Sequence, residues 1–121
     1  MTTNSIKVYH PKDLPREKTV LIFSPHPDDT SISAGGAALL LSPHNKVISI
    51  VMTTGHRAKM DGLDKEQRIS LREKESIAEA KFLGAGVDFL RLDLYDDGKI
   101  VSKDREKLMH LLETHRPEIV F

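Results

Sequence analysis

The chain has no cysteine and no tryptophan, and aromatic residues fill only 5% of its 121 positions. Without cysteine there is neither a disulfide framework nor a thiolate metal site, so nitrogen and oxygen donors must hold any metal. Neither sign of charge is in excess. Eighteen Lys and Arg stand against 18 Asp and Glu, a formal net charge of zero. That balance gives no electrostatic case for nucleic acid or an anionic membrane surface as partner. No apolar run approaches the roughly 20 residues of a membrane span. Met1-Thr2-Thr3-Asn4-Ser5 also lacks the basic and apolar regions of a signal peptide. The expectation is a cytoplasmic protein of a single domain, long enough to bury a core.

What the chain does contain is concentrated in Ser24-Pro25-His26-Pro27-Asp28-Asp29. Before it, Thr19-Val20-Leu21-Ile22-Phe23 carries no charge and suits a strand buried on both faces. After it, Ser31 to Leu41 runs from small residues to leucines, as a helix packed on a sheet would. His26, Asp28 and Asp29 therefore fall where a buried strand hands over to a helix, and in open α/β sheets the carboxyl ends of strands form the ligand crevice. Imidazole and carboxylate together suit a divalent metal such as zinc. Pro25 and Pro27 stiffen the segment that presents His26. In an extended segment, side chains two apart point the same way, so His26 and Asp28 face one pocket, and Asp29 joins them only if the chain turns there. The same letters also read as a turn in which Asp29 caps the next helix.

Residues 1–17 are polar, with Pro11 and Pro15, and read as an extension with a short edge strand at Ile6-Lys7-Val8-Tyr9 and a surface His10. Gly35-Gly36 is poor helix material, tolerated where a backbone passes close to something. The spacing is that of neither a dinucleotide fingerprint nor a P-loop. Lys46 to Thr53 is the second strand and ends in Thr53-Thr54-Gly55-His56-Arg57. His56 is a candidate ligand or substrate contact, Arg57 a candidate for an anionic or polyhydroxyl substrate. Asp64 with Gln67 forms a capping box for a helix to about Leu83. Leu71, Ile77, Ala78 and Phe82 supply its apolar stripe, and Lys65, Glu66, Arg68, Arg72, Glu73, Lys74 and Glu75 mostly a solvated face. Gly84 and Gly86 end this helix. Asp88 to Leu92 is a short third strand, and Asp93 to Lys99 an acidic turn whose Asp93 lines the crevice. Ser102 or Asp104 caps a last helix to His115, with Leu108, Leu111 and Leu112 inward and His110 and His115 on its surface. A fourth strand begins at Glu118. This alternation predicts an α/β fold, a Rossmann-like three-layer α/β/α sandwich with a mainly parallel sheet, over residues 18–121.

These residues resemble the LmbE-like zinc de-N-acetylases, related to the PIG-L deacetylase of N-acetylglucosaminyl-phosphatidylinositol. Carrying the resemblance are Pro25-His26-Pro27-Asp28-Asp29 with Gly35-Gly36 six residues on, Thr53-Thr54-Gly55, Arg72 and Glu75 before Ala80 and Leu83-Gly84, the Asp93–Gly98 turn, and Arg116-Pro117 before an apolar strand. It implies that His26 and Asp29 are zinc ligands and that Asp28 is the general base. It also implies removal of acetate from an N-acetylated amino sugar of the N-acetylglucosamine type. Zinc lowers the pKa of a bound water from about 15.7 toward about 7, and a carboxylate beside it takes the proton. Fe(II) and other divalent ions fit similar ligands. Thr30 stands where the family commonly has Glu. The family draws a third ligand from a His-rich segment after the fourth strand, which is where this sequence stops, at Phe121. The expectation is accordingly the N-terminal portion of such an enzyme, or else a non-catalytic module that binds sugar or metal. The expected partner is a small N-acetylated sugar, with no nucleic acid or membrane, and a homo-oligomer is left open.

Overall fold

The computed structural model describes residues 10–121. The expected edge strand at 6–9 lies outside the described residues. Four strands, β1 (Thr19–Ser24), β2 (Lys46–Val51), β3 (Gly86–Phe89) and β4 (Ile119–Val120), alternate with α1 (Asp29–Leu41), α2 (Lys65–Phe82), the short α3 (Leu94–Asp97) and α4 (Ser102–His115). The strands form one sheet in the order β3-β2-β1-β4, all parallel.

The three layers follow from the period of two along the strands. Val20 and Ile22 of β1 join Ala38 and Leu41 of α1, Val47 of β2 and Leu83 in one buried cluster. Leu21 and the partly buried Phe23 point the other way, with Ile48 and Ile50 of β2, Leu90, Leu92 and Leu111 of α4. Helices α1 and α2 thus cover one face and α4 the other, as expected of a Rossmann-like sandwich. Leu14 packs on the first cluster, so residues ahead of β1 also touch the core.

Several expectations need correction. Helix α1 starts at Asp29, two residues before Ser31. β3 is Gly86–Phe89 rather than 88–92, because Gly86 opposes Ile48 in the ladder. Gly84, at φ 71°, is left as the helix terminator. The acidic stretch after β3 is not a bare turn but contains α3, closed by Gly98 in the left-handed region. Neither Ser102 nor Asp104 caps α4, whose N-cap position is Val101. Asp104 is buried at 3% exposure and accepts instead from the backbone N–H of Asp93 (2.8 Å) and Leu94 (3.1 Å), closing the start of α3.

The apolar stripe of α2 is the largest departure. Phe82 is 81% exposed, and Leu71, Ile77 and Ala78 also face solvent. The sheet side of the helix carries Ser76 and Ala80, because a helix lying close on a parallel sheet fits small residues there. The paired glycines of α1 likewise do not mark a tight approach. A Cβ on Gly35 would rest 4.0 Å from Leu83 Cδ2, and one on Gly36 would meet nothing within 4 Å.

Candidate active site

The sheet order turns back at β1. Strands β2 and β3 lie on one side of it and β4 on the other, and a crevice outside the carboxyl ends at such a switch point is the usual ligand position. The segment 25–28 leaves β1 there. Buried hydroxyls hold it: Ser24 Oγ donates to the His26 carbonyl (2.6 Å), and Thr53 Oγ1 donates to the Pro25 carbonyl (2.7 Å). Thr30, which departs from the family pattern, is buried. Its N–H donates to Ser24 Oγ (3.2 Å), and its hydroxyl lies 2.7 Å from that of Ser49.

The chain does turn within the motif. Asp28 adopts φ 82°, ψ −16°, the left-handed region. The turn separates Asp28 from His26 and brings Asp29 round, so it is Asp29 rather than Asp28 that shares a side with the imidazole. Asp29 Oδ2 accepts the His26 backbone N–H at 2.8 Å and lies 3.4 Å from His26 Nδ1. This arrangement replaces the capping alternative, since the Asp29 carboxylate turns back to His26 and away from the N–H groups of α1. The Asp28 carboxylate instead approaches α2, its Oδ2 3.8 Å from Arg72 Nη2. The donor set of one imidazole nitrogen and one carboxylate oxygen suits zinc or a similar divalent ion. Both side chains are open to solvent, with 51% and 32% exposure. Among the described residues no third His, Cys, Asp or Glu joins the pair.

The loop after β2 closes against this segment. Gly55, at φ 62°, makes that closure possible, since a Cβ there would lie 2.8 Å from both Arg72 Nε and Pro27 Cδ. Next to it, His56 is half-buried, with a side-chain exposure of 12%. Its Nδ1 hydrogen-bonds Thr54 Oγ1 at 2.5 Å, and its Nε2 lies 3.3 Å from Asp96 Oδ1. Burial, and then the Lys65 ammonium, hold its pKa below the ordinary value of 6.5, against the raising effect of Asp96. Tyr95 of α3 stands between the two loops, edge-on to His56 (5.0 Å between centroids) and to His26 (5.6 Å). Arg57 lays its guanidinium over the same ring at 5.3 Å and donates to the Asp96 carbonyl.

Of the six residues singled out in the sequence, His26 and Asp29 meet directly. His56 and Arg57 reach them through Tyr95. Asp93 is exposed and lines, with His56, Tyr95 and Asp96, a cleft of about 190 Å³ beside the His26 loop. A larger hollow, about 890 Å³, lies at the opposite ends of the strands, by Lys18, Thr19, Asn45 and Lys46, and holds none of these groups. Residue chemistry did not single out Tyr95, and it assigned Arg68 and Arg72 to a solvated face. In fact Arg68 Nε donates to the His56 carbonyl (2.9 Å) and Arg72 Nη2 to the Pro27 carbonyl (3.1 Å). The available signal was the line Arg72, Ser76, Ala80 at i, i+4, i+8, whose small residues mark the side of α2 against the sheet.

The site is thus a His–Asp pair at the strand-end switch point of a parallel α/β sheet. Residues 21–121 match the family "PIG-L: GlcNAc-PI de-N-acetylase", and the chain belongs to that family. It is similar to an N,N'-diacetylchitobiose deacetylase from Pyrococcus horikoshii, with 30% identity and TM-score 0.76 over 86% of this chain and 40% of that one. It is also similar to a 4-carboxy-2-hydroxymuconate hydratase, GalB, from Pseudomonas putida, with 25% identity and TM-score 0.73 over 85% and 45%. The chain therefore spans less than half the length of either. A comparison with curated proteins finds no match. No helix among the described residues is long and apolar enough to cross a membrane.

Proposed function

We infer that residues 18–121 belong to a metal-dependent de-N-acetylase that releases acetate from an N-acetylated amino sugar of the N-acetylglucosamine type. The observation that carries the reading is the approach of His26 Nδ1 to Asp29 Oδ2, 3.4 Å apart at the end of β1, with Asp28 turned off the pair. His26 and Asp29 would hold zinc or a similar divalent ion, which when bound supplies acidity to a water and polarises the amide carbonyl. Asp28 takes the proton from the attacking water, and its open position leaves room for that water and the substrate amide. Arg57, His56 and Asp93 contact the sugar, with the ring of Tyr95 as the wall between the metal pair and the cleft. The reading is of a cytoplasmic enzyme acting on a small N-acetylated sugar.

The test is acetate release from N-acetylglucosamine conjugates by the intact protein. Asp28→Ala is expected to lower kcat by about 10²–10⁴-fold, the usual weight of general base catalysis. An unchanged rate in that variant rejects Asp28 as base. The pair has only two protein donors among the described residues, which supports a second reading, a module that binds metal or sugar without turnover. Zinc binding by the intact protein with no acetate release would select it.

A further inference from the structure

Two neighbouring carboxylates with different tasks raise a physical question. Residue type alone does nothing to keep Asp28 off a cation shared by His26 and Asp29. The backbone supplies the separation, since φ 82° at Asp28 sends its side chain toward α2. Asp visits this conformation more readily than most residues with a Cβ, but it remains uncommon and is held where the surroundings favour it.

Besides the Asp29 carboxylate on the His26 N–H and the Ser24 hydroxyl on the His26 carbonyl, those surroundings include the guanidinium of Arg72. Its side chain is 14% exposed, Nη2 donates to the Pro27 carbonyl at 3.1 Å, and the same nitrogen lies 3.8 Å from Asp28 Oδ2. Gly55 leaves the space that the group occupies between the two strand-end loops. The arrangement carries a cost beside its gain. Arg72 Nε is buried and has no hydrogen-bond partner among the described residues, which offsets part of what the Nη2 bond to Pro27 contributes. The carboxylate opposite is 63% exposed, so the ion pair returns little.

We propose that Arg72 is a positioning residue: it clasps the Pro27 carbonyl, holds Asp28 in the left-handed conformation and so keeps the base apart from the metal ligands. The proposal rests on the reading of Asp28 as base. Arg72→Met and Gly55→Ala, singly and together in the intact protein, test it. Each is expected to release Asp28 from positive φ in the crystal structure, to let it join the cation with a gain in zinc affinity, and to lower kcat about a hundredfold with KM held. The double variant is expected to do no more than either single one, because both act on one contact. Arg72→Lys keeps the charge without the planar fork and is expected to restore part of kcat, which covers the case of a poorly folded Gly55→Ala. An unmoved Asp28 with unchanged zinc affinity in Arg72→Met overturns the proposal, as does a rise confined to KM, which would make Arg72 a substrate contact. Failure of the functional reading looks different: no acetate release by the native protein, while conformation and zinc affinity still respond.

Discussion

Asp28 and Asp29 are adjacent in sequence but have different partners, Arg72 and His26, with the chain turning at Asp28 between them. The extended-chain argument paired His26 with Asp28. The left-handed turn at Asp28 paired His26 with Asp29 instead. The residue types suggested metal-binding chemistry, but the turn was not legible, because positive φ at an Asp is uncommon and the contacts around this turn include one as distant in sequence as Arg72 to Pro27. His56 allows a prediction at this scale. Partial burial of its imidazole, with Lys65, Arg57 and Arg68 nearby and Asp96 opposing them, means that the folded state disfavours its protonation. A lowered folded pKa means that the unfolded chain binds the proton first as pH falls. Stability is therefore full above about 6.5 and is lost as pH drops below it. Urea midpoints between about pH 7.5 and about pH 5 should fall more steeply for the native protein than for His56→Gln.

Among the elements, α2 and α4 were predicted by the same rule, and only one obeyed it. Leu108, Leu111 and Leu112 of α4 do face the core, with Leu111 4% exposed. The apolar residues of α2 face outward, because the capping box from Asp64 to Gln67 fixes where the helix begins but not which side meets the sheet. Spacing alone cannot distinguish a leucine stripe that packs from one that does not. A line of small residues competes for the same sheet and approaches it more closely. Leu111→Ala is accordingly expected to destabilise by about 2–5 kcal/mol through a buried cavity. Phe82→Ser should stay within about 0.5 kcal/mol. Chemical denaturation of the two variants checks both values. Of the two C-terminal histidines, His110 is exposed as expected. His115 is half-buried and lies 3.1 Å from Asp88 Oδ2 across the gap between α4 and β3.

For the molecule as a whole, the alternation of strand and helix predicted the parallel sheet and its layers, and the structure has them. The position of β4 beside β1 was beyond that reasoning, since the run Ile119-Val120 has no letter that chooses a neighbour. Charge is also a property of this scale. With equal numbers of acids and bases and a sequence pI near 7.0, the chain has little self-repulsion at neutral pH. Its solubility is expected to pass through a minimum around pH 7 and to rise on either side, which a turbidity titration would read. A final consequence comes from Asp104. One carboxylate on α4 grips the first turn of α3, and α3 carries the ring that separates the two imidazoles. The rear layer of the sandwich thus anchors the front rim of the cleft, so loss of this carboxylate is expected to loosen the ring's placement.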